Sequence, residues 1–256
     1  MNPDEYLNLA KVEGQHWFYA GKREIARYWI HRFRPLKRTD LLADCGAGTG
    51  ILAAEMRALC NVVAVDDFEE SLRFLRDRLG EARVRKGSCT ALPLADASVD
   101  VLTALDVIEH VENDRAAMSE FARVLRSGGM AVITVPALMR LWSDWDATLH
   151  HYRRYTKSSL RETFPGEFEI LHMNYINVVA LPAVYWVRKF RGLKRRLGFK
   201  TSLRSEDKIP PPWLNTFLRW LFVRAACQNA VRFPAGVGLL AVLRKQSVTQ
   251  PTAKLR

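Results

Sequence analysis

Hydrophobic and polar positions follow two regimes along these 256 residues. Up to Pro136, short apolar runs alternate with stretches whose apolar residues recur every three or four positions. The runs at 40–44, 61–65, 82–85, 99–104 and 129–136 predict strands, and the 3.6-residue periodicity predicts helices at 51–59, 68–79 and 113–125. Within 68–79, Leu72, Leu75 and Leu79 share one helical face. Two further helices are predicted ahead of the first strand, at 4–12 and 20–33, with the aromatic cluster His16-Trp17-Phe18-Tyr19 between them. Strands alternating with helices of about 10–15 residues need right-handed crossovers and give a parallel, doubly wound sheet.

Beyond Pro136 the pattern changes. Helices are predicted at 141–151 and 157–164, and strands at 168–173 and 236–243. The expected fold is therefore α/β, a Rossmann-like sheet of seven strands, with N-terminal helices and a helical insertion before the last strand. The expected organisation is a helical cap at 1–38, a core at 39–173 and 235–245, an insertion at 174–234 and a tail at 246–256. The insertion opens on the apolar stretch 175–190, interrupted by Pro182, and continues with Arg188, Lys189, Arg191, Lys194, Arg195, Arg196, Lys200, Arg204 and Lys208. Pro210-Pro211-Pro212 breaks it, and a second apolar helix is predicted at 213–226. The uncharged part of the first block ends at Arg188, too short to span about 30 Å of hydrocarbon.

Charge separates the same two regions. Residues 1–150 carry 19 lysines and arginines against 22 acids, net −3, whereas residues 151–256 carry 20 against 5, net +15. A one-sided excess suits an anionic partner. Tryptophan-bearing apolar helices followed by basic residues fit anionic lipid headgroups. Nucleic acid is the rival partner, and a homodimer interface or a cover over an acceptor pocket is a third use of the same surfaces. Cys45, Cys60, Cys89 and Cys227 lack C-x-x-C spacing and suit a reducing compartment. Residues 1–11 have no apolar core, so no signal peptide is expected there. The expected location is the cytoplasm, with the insertion at the inner face of a membrane.

The densest chemistry lies at Asp44-Cys45-Gly46-Ala47-Gly48-Thr49-Gly50, between a predicted strand and a predicted helix. Glycines at alternate positions permit a tight turn and close approach of a ligand to the backbone. The spacing is G-x-G-x-G, unlike the G-x-G-x-x-G of dinucleotide sites. Asp44, two residues ahead of Gly46, would repel a pyrophosphate and attract an ammonium group. A nucleoside with an amino-acid tail, S-adenosylmethionine, fits both features.

Three downstream stretches complete a resemblance to the class I S-adenosylmethionine-dependent methyltransferases over about residues 40–136. They are Val62-Val63-Ala64-Val65-Asp66, then Ala91-Leu92-Pro93-Leu94-Ala95-Asp96-Ala97-Ser98-Val99-Asp100, and then Asp106-Val107-Ile108-Glu109-His110-Val111 with Arg123–Gly129. The resemblance, drawn to the small-molecule and ubiquinone-pathway branch, implies roles residue by residue. Gly46, Ala47, Gly48 and Gly50 would line the methionine and ribose side, Asp44 would meet the amino group, and Asp66 would bind the ribose. Asp67 and Phe68 would edge the adenine. Ser88 stands where the family often has an acid, leaving the backbone of Cys89 to reach the ring, and Leu105 with Asp106 would lie beneath the methionine. Lys22 and Arg23 are candidates for the cofactor carboxylate.

Transfer of an activated methyl group needs alignment first, and a base only when the acceptor is a hydroxyl or phenol. O-methylation of a small or lipid-like acceptor is the expected reaction. An RNA or protein methyltransferase, and a non-catalytic nucleoside-binding module, are the alternatives. The catalytic candidates are His110, within Asp106-x-x-Glu109-His110, and His151, Tyr152 and Arg154, within His150-His151-Tyr152-Arg153-Arg154-Tyr155. The first cluster is similar to a set that holds a divalent metal in ubiquinone-pathway enzymes, so Asp106, Glu109 and His110 are the expected ligands should a metal be used. The same residues could equally brace a helix start. In the second cluster, Tyr152 and Tyr155 could instead pack on the core while the arginines face solvent.

Overall fold

The computed structural model describes residues 3–196 and 208–247. Lys200 and Arg204 of the basic run, and most of the expected tail, lie outside the described residues. Helices α1 (Pro3–Val12) and α2 (Trp17–Phe33) precede β1 (Leu41–Cys45), α3 (Ile51–Met56), β2 (Asn61–Asp66), α4 (Glu69–Leu79), β3 (Val84–Lys86) and β4 (Val99–Leu105). Then follow α5 (Asp114–Val124), β5 (Leu125–Pro136), α6 (Asp144–Thr148), α7 (Lys157–Arg161), β6 (Phe168–Ile176), α8 (Leu181–Arg196), α9 (Pro212–Ala226) and β7 (Gly238–Lys245). The seven strands form one sheet in the order β3-β2-β1-β4-β5-β7-β6. β1 to β5 pair in parallel, whereas β7 runs antiparallel to both β5 and β6.

The central strands are apolar almost throughout because helices cover both faces. One face packs Met118, Phe121 and Val124 of α5 against Val99, Leu102 and Ile133. The other packs Ile25, Trp29 and Ile30 of α2, with Phe222 and Ala226 of α9, against Leu42, Val101, Val132 and Leu240. The Trp29 indole donates to the Ala226 carbonyl at 3.1 Å. The second half of the expected insertion thus covers the core through α2, and it is no free-standing appendage.

Several boundaries differ from expectation for local reasons. α2 begins at Trp17, so the aromatic cluster forms its first turn behind His16, whose ring accepts from the Phe18 amide at 3.3 Å. The strand expected at 129–136 starts earlier, at Leu125, and Ser127-Gly128-Gly129 lies inside β5, whose pairing with β4 shifts between Val99 and Val101. The expected helix 141–151 is broken because Ser143 caps a new helix and the chain folds back through His150 at φ 58°. β6 runs on to Ile176, and α8 starts only at Leu181, which places Pro182 in a first turn where its missing N–H costs nothing. Among the described residues no helix is long and apolar enough to cross a membrane.

Candidate active site

β1 and β4 are neighbours whose following chains leave toward opposite faces of the sheet, and such a divergence opens a crevice at the carboxyl ends of the strands. A cavity of about 590 Å³ occupies it. On one side it is lined by Asp44, Gly46, Ala47, Gly48, Asp66, Asp67, Ser88, Cys89 and Leu105, and on the other by Glu109, His110, His151, Tyr152 and Arg154. Residues as distant in the chain as Asp44 and Arg154 are thereby brought to one space.

The glycine turn is locked onto β2. The Gly46 amide donates to the Val65 carbonyl at 2.8 Å, and the Gly48 amide donates to Asp66 Oδ2 at 3.0 Å. Asp66 Oδ1 accepts from the Phe68 amide at 3.0 Å, so backbone holds both carboxylate oxygens while they face the cavity. Gly46 has φ 63°, and a Cβ there would lie 2.6 Å from the Val107 side chain. Gly50 differs from its expected role. It lies off the cavity wall and supplies the left-handed residue ahead of α3, where a Cβ would sit 2.6 Å from Leu75.

Asp44 is buried and accepts from the Thr103 hydroxyl at 2.6 Å. Burial raises its carboxyl to about 7, a position that a cation in the cavity would reverse in favour of the charged form. Asp66 is raised by burial too, against the hydrogen bonds it accepts. Ser88 spends its hydroxyl on a turn, accepting from the Thr90 amide at 3.2 Å. Its neighbour Cys89 carries a thiol that burial pushes to about 12, so it serves as wall and not as nucleophile.

Lys22 and Arg23 both line the cavity, yet neither carries an unspent charge. The Lys22 ammonium pairs with Asp106 Oδ2 and lies 4.6 Å from the centre of the Phe18 ring. Arg23 binds Glu55 at 3.1 Å and the Glu13 carbonyl at 2.9 Å. Asp106, at φ 57°, also accepts from the Thr134 hydroxyl at 2.7 Å. Burial works against its charge, but Lys22 and these hydrogen bonds outweigh it and hold the carboxyl below its usual range. The expected set Asp106, Glu109 and His110 is therefore not assembled. Potential ligand atoms of Glu109, His110 and His151 instead lie within 4.8 Å of one another.

Asp146, which the sequence reading missed, organises this end. Its fully buried carboxylate accepts from His151 Nδ1 at 3.0 Å, Arg154 Nε at 2.7 Å and the Ser143 amide at 2.9 Å. Arg188 of α8 approaches it at 3.4 Å. Burial opposes the charge, but His151, Arg154 and Arg188 prevail and keep the group well below the usual carboxylate range. Arg154, expected to bind an acceptor, is a strut: its guanidinium bonds Asp146 and the Ala137 carbonyl. Tyr155 is a core residue that donates to Asp114 at 2.8 Å, whereas Tyr152 is exposed at the cavity wall. His110 and His151 meet edge to face at 4.6 Å. Burial, followed by the charge of His151, lowers His110 to about 4, so it is neutral at physiological pH. The one sequence signal for Asp146 was Ser143-x-x-Asp146, a capping spacing that locates a helix start and says nothing of His151. Glu13, also missed, lines the cofactor side with its carboxyl raised by burial to about 7.

Residues 43–133 match the family described as the methyltransferase domain. An S-adenosylmethionine-dependent methyltransferase of Mycolicibacterium smegmatis is 33% identical over 154 residues, 59% of this chain and 58% of that one. The ubiquinone/menaquinone biosynthesis C-methyltransferase UbiE of Rubrivivax gelatinosus is 36% identical over 110 residues, 41% of this chain and 44% of that one. The chain thus spans about half the length of the relatives it matches. Among solved structures, the methyltransferase bound to the Trm112 activator in Haloferax volcanii has a TM-score of 0.60 at 17% identity, covering 93% of each chain, a likeness of fold.

Proposed function

We propose that this chain, whose residues 43–133 match a methyltransferase domain, is a class I S-adenosylmethionine-dependent methyltransferase that methylates an oxygen of a small or lipid-like acceptor. The observation that carries the reading is one cavity with two chemically distinct ends. Buried Asp44 and backbone-held Asp66 flank a glycine turn at one end, and a group of histidines stands at the other. The donor set fits the cofactor: Asp44 faces the place for an ammonium group, Asp66 offers acceptor oxygens to ribose hydroxyls, and glycine at 46 leaves the backbone open to close approach.

S-adenosylmethionine, when bound, supplies a sulfonium methyl group that needs only a lone pair on the acceptor and leaves a neutral thioether. The chain's part is alignment, exclusion of water and removal of the acceptor's proton. Phe18 and Tyr19 wall the cavity from α2, and Leu105 and Val107 floor it. An acceptor hydroxyl would lie beside Glu109, His110 and His151, the ionisable side chains that the fold gathers there. Exposed aromatics on α8 and α9 support a lipid-like acceptor drawn from an anionic membrane surface. Trp186 and Phe190 are 52% and 57% exposed, and Trp213, Phe217 and Trp220 are 72%, 51% and 59% exposed.

Calorimetry and a radiolabelled transfer assay test the reading together. Wild-type protein should bind S-adenosylmethionine, and Asp66→Ala should weaken binding by at least about tenfold, one lost charged hydrogen-bond acceptor being worth about 1.5–3 kcal/mol. Label transferred to a cell extract should partition with the organic-soluble fraction as a base-stable methyl ether. No cofactor binding sinks the enzyme reading, and label on RNA or protein replaces the acceptor class.

A further inference from the structure

Glu109 is 0% exposed, and neither of its carboxylate oxygens has a hydrogen-bond partner. An unpartnered buried carboxyl is costly in either protonation state, and chains rarely retain one unless something absent from the polypeptide completes it. Its neighbours are two imidazoles. His151 has Nδ1 committed to Asp146 at 3.0 Å, which fixes the ring and leaves Nε2 for another partner. His110 stands edge to face with it, and all three residues line the cavity.

We propose that Glu109, His110 and His151 form a binding site for a divalent transition-metal cation, two imidazoles and one carboxylate, with remaining positions open to the acceptor end of the cavity. Imidazole with carboxylate suits zinc, cobalt(II), manganese or iron(II) better than magnesium or calcium, which favour all-oxygen sets. Ligand atoms now lie within 4.8 Å of one another. Bonds of about 2.0–2.2 Å to a common ion bring them roughly 3–4 Å apart, a closure that side-chain rotation supplies. Asp146 is the outer partner: a carboxylate on the far nitrogen of a ligating histidine orients the ring and raises its basicity. Asp146 is itself held by Arg154 at 2.7 Å and by Ser143, so the support is rigid. Asp106 is excluded because Lys22 and Thr134 occupy its oxygens.

The cation site itself rests on the polypeptide geometry, whereas its role on an acceptor hydroxyl rests on the methyl-transfer reading. A cation there would hold an acceptor hydroxyl through its oxygen and lower its pKa, with the released proton passing to solvent.

The test uses the full, untagged chain stripped with chelator and titrated with cobalt(II), then with zinc(II) by calorimetry. One equivalent of cobalt should bind with the absorption of mixed nitrogen–oxygen ligation, zinc should displace it, and two imidazoles should show paramagnetically shifted resonances. His151→Ala and Glu109→Gln should each weaken the cation by at least 100-fold, on the order expected when a ligand is deleted. Asp146→Asn should weaken it by about 10–100-fold. His31→Ala, on α2 and away from the site, should leave it unchanged. Far-ultraviolet circular dichroism and a thermal melt report whether each variant keeps its fold. A wild-type chain without stoichiometric cobalt, resonances from other histidines, or unchanged affinity in folded His151→Ala and Glu109→Gln overturns the proposal. Should the variants fail to fold, the wild-type stoichiometry and imidazole resonances decide.

Discussion

Single residues here work by what surrounds them. Asp44, Asp66, Asp106 and Asp146 share one side chain and have four different environments. The Thr103 hydroxyl donates to Asp44, backbone amides hold Asp66, an ammonium neutralises Asp106, and an imidazole hydrogen bond together with a guanidinium holds Asp146. Their pKa directions follow: burial wins at the first two and opposite charge at the last two. Away from the cavity, His172 shows the same logic as a stability effect. It is stacked 3.9 Å from Trp29 and held by Asn229 at 2.9 Å, and burial lowers it from 6.5 to about 4, with Arg232 and Lys157 adding to the shift. The unfolded chain then takes up a proton near 6.5 that the folded chain refuses until about 4. Its contribution is complete above the unfolded value and is lost as pH falls through that window, up to about 3 kcal/mol. Urea unfolding at pH 7 and pH 4.5 should therefore show a larger loss for the wild type than for His172→Phe, which keeps the stacked ring. Equal losses would remove His172 as the cause.

At the scale of elements, α2 and α9 form the joint between core and cavity. Phe222 of α9 stacks on Phe18 at 5.7 Å and meets Trp17 edge to face, while α2 carries Phe18, Tyr19 and Lys22 to the cavity wall. Phe222→Ala should cost about 3–5 kcal/mol in denaturant unfolding and also raise the S-adenosylmethionine dissociation constant, because the wall loses its backing. A loss of stability with untouched cofactor affinity would confine α9 to the core. Local pattern alone could not foresee this pairing. Apolar positions on 213–226 announce a buried face without naming its partner, and α2 lies about 190 residues earlier. Where pattern and local caps agreed, as in α4 with Leu72, Leu75 and Leu79, the boundaries came out within a residue. Where a second cap intervened, as at Ser143, one predicted helix became a short helix and a fold-back.

For the whole molecule, the surface is as informative as the cavity. The excess of positive charge and the exposed tryptophans both belong to the C-terminal part, yet Trp29, Phe222 and Ala226 tie that part to the sheet. Flotation with anionic vesicles should carry the protein at low salt and release it as salt rises, whereas neutral vesicles should bind it weakly. Trp213→Ala with Trp220→Ala should reduce flotation several-fold without lowering the unfolding midpoint, since both side chains are exposed. Retention by RNA and not by vesicles would transfer the basic surface to nucleic acid. The sequence by itself determined the sheet, the glycine turn and the acids of the cofactor end, because strand periodicity, glycine spacing and the acids closing β1 and β2 are local properties. Tertiary structure decided the other end. It alone could take Asp106 into a pair with Lys22, turn Arg154 inward onto Asp146, and bring His151 to Glu109 and His110, since contacts between distant segments leave no local pattern.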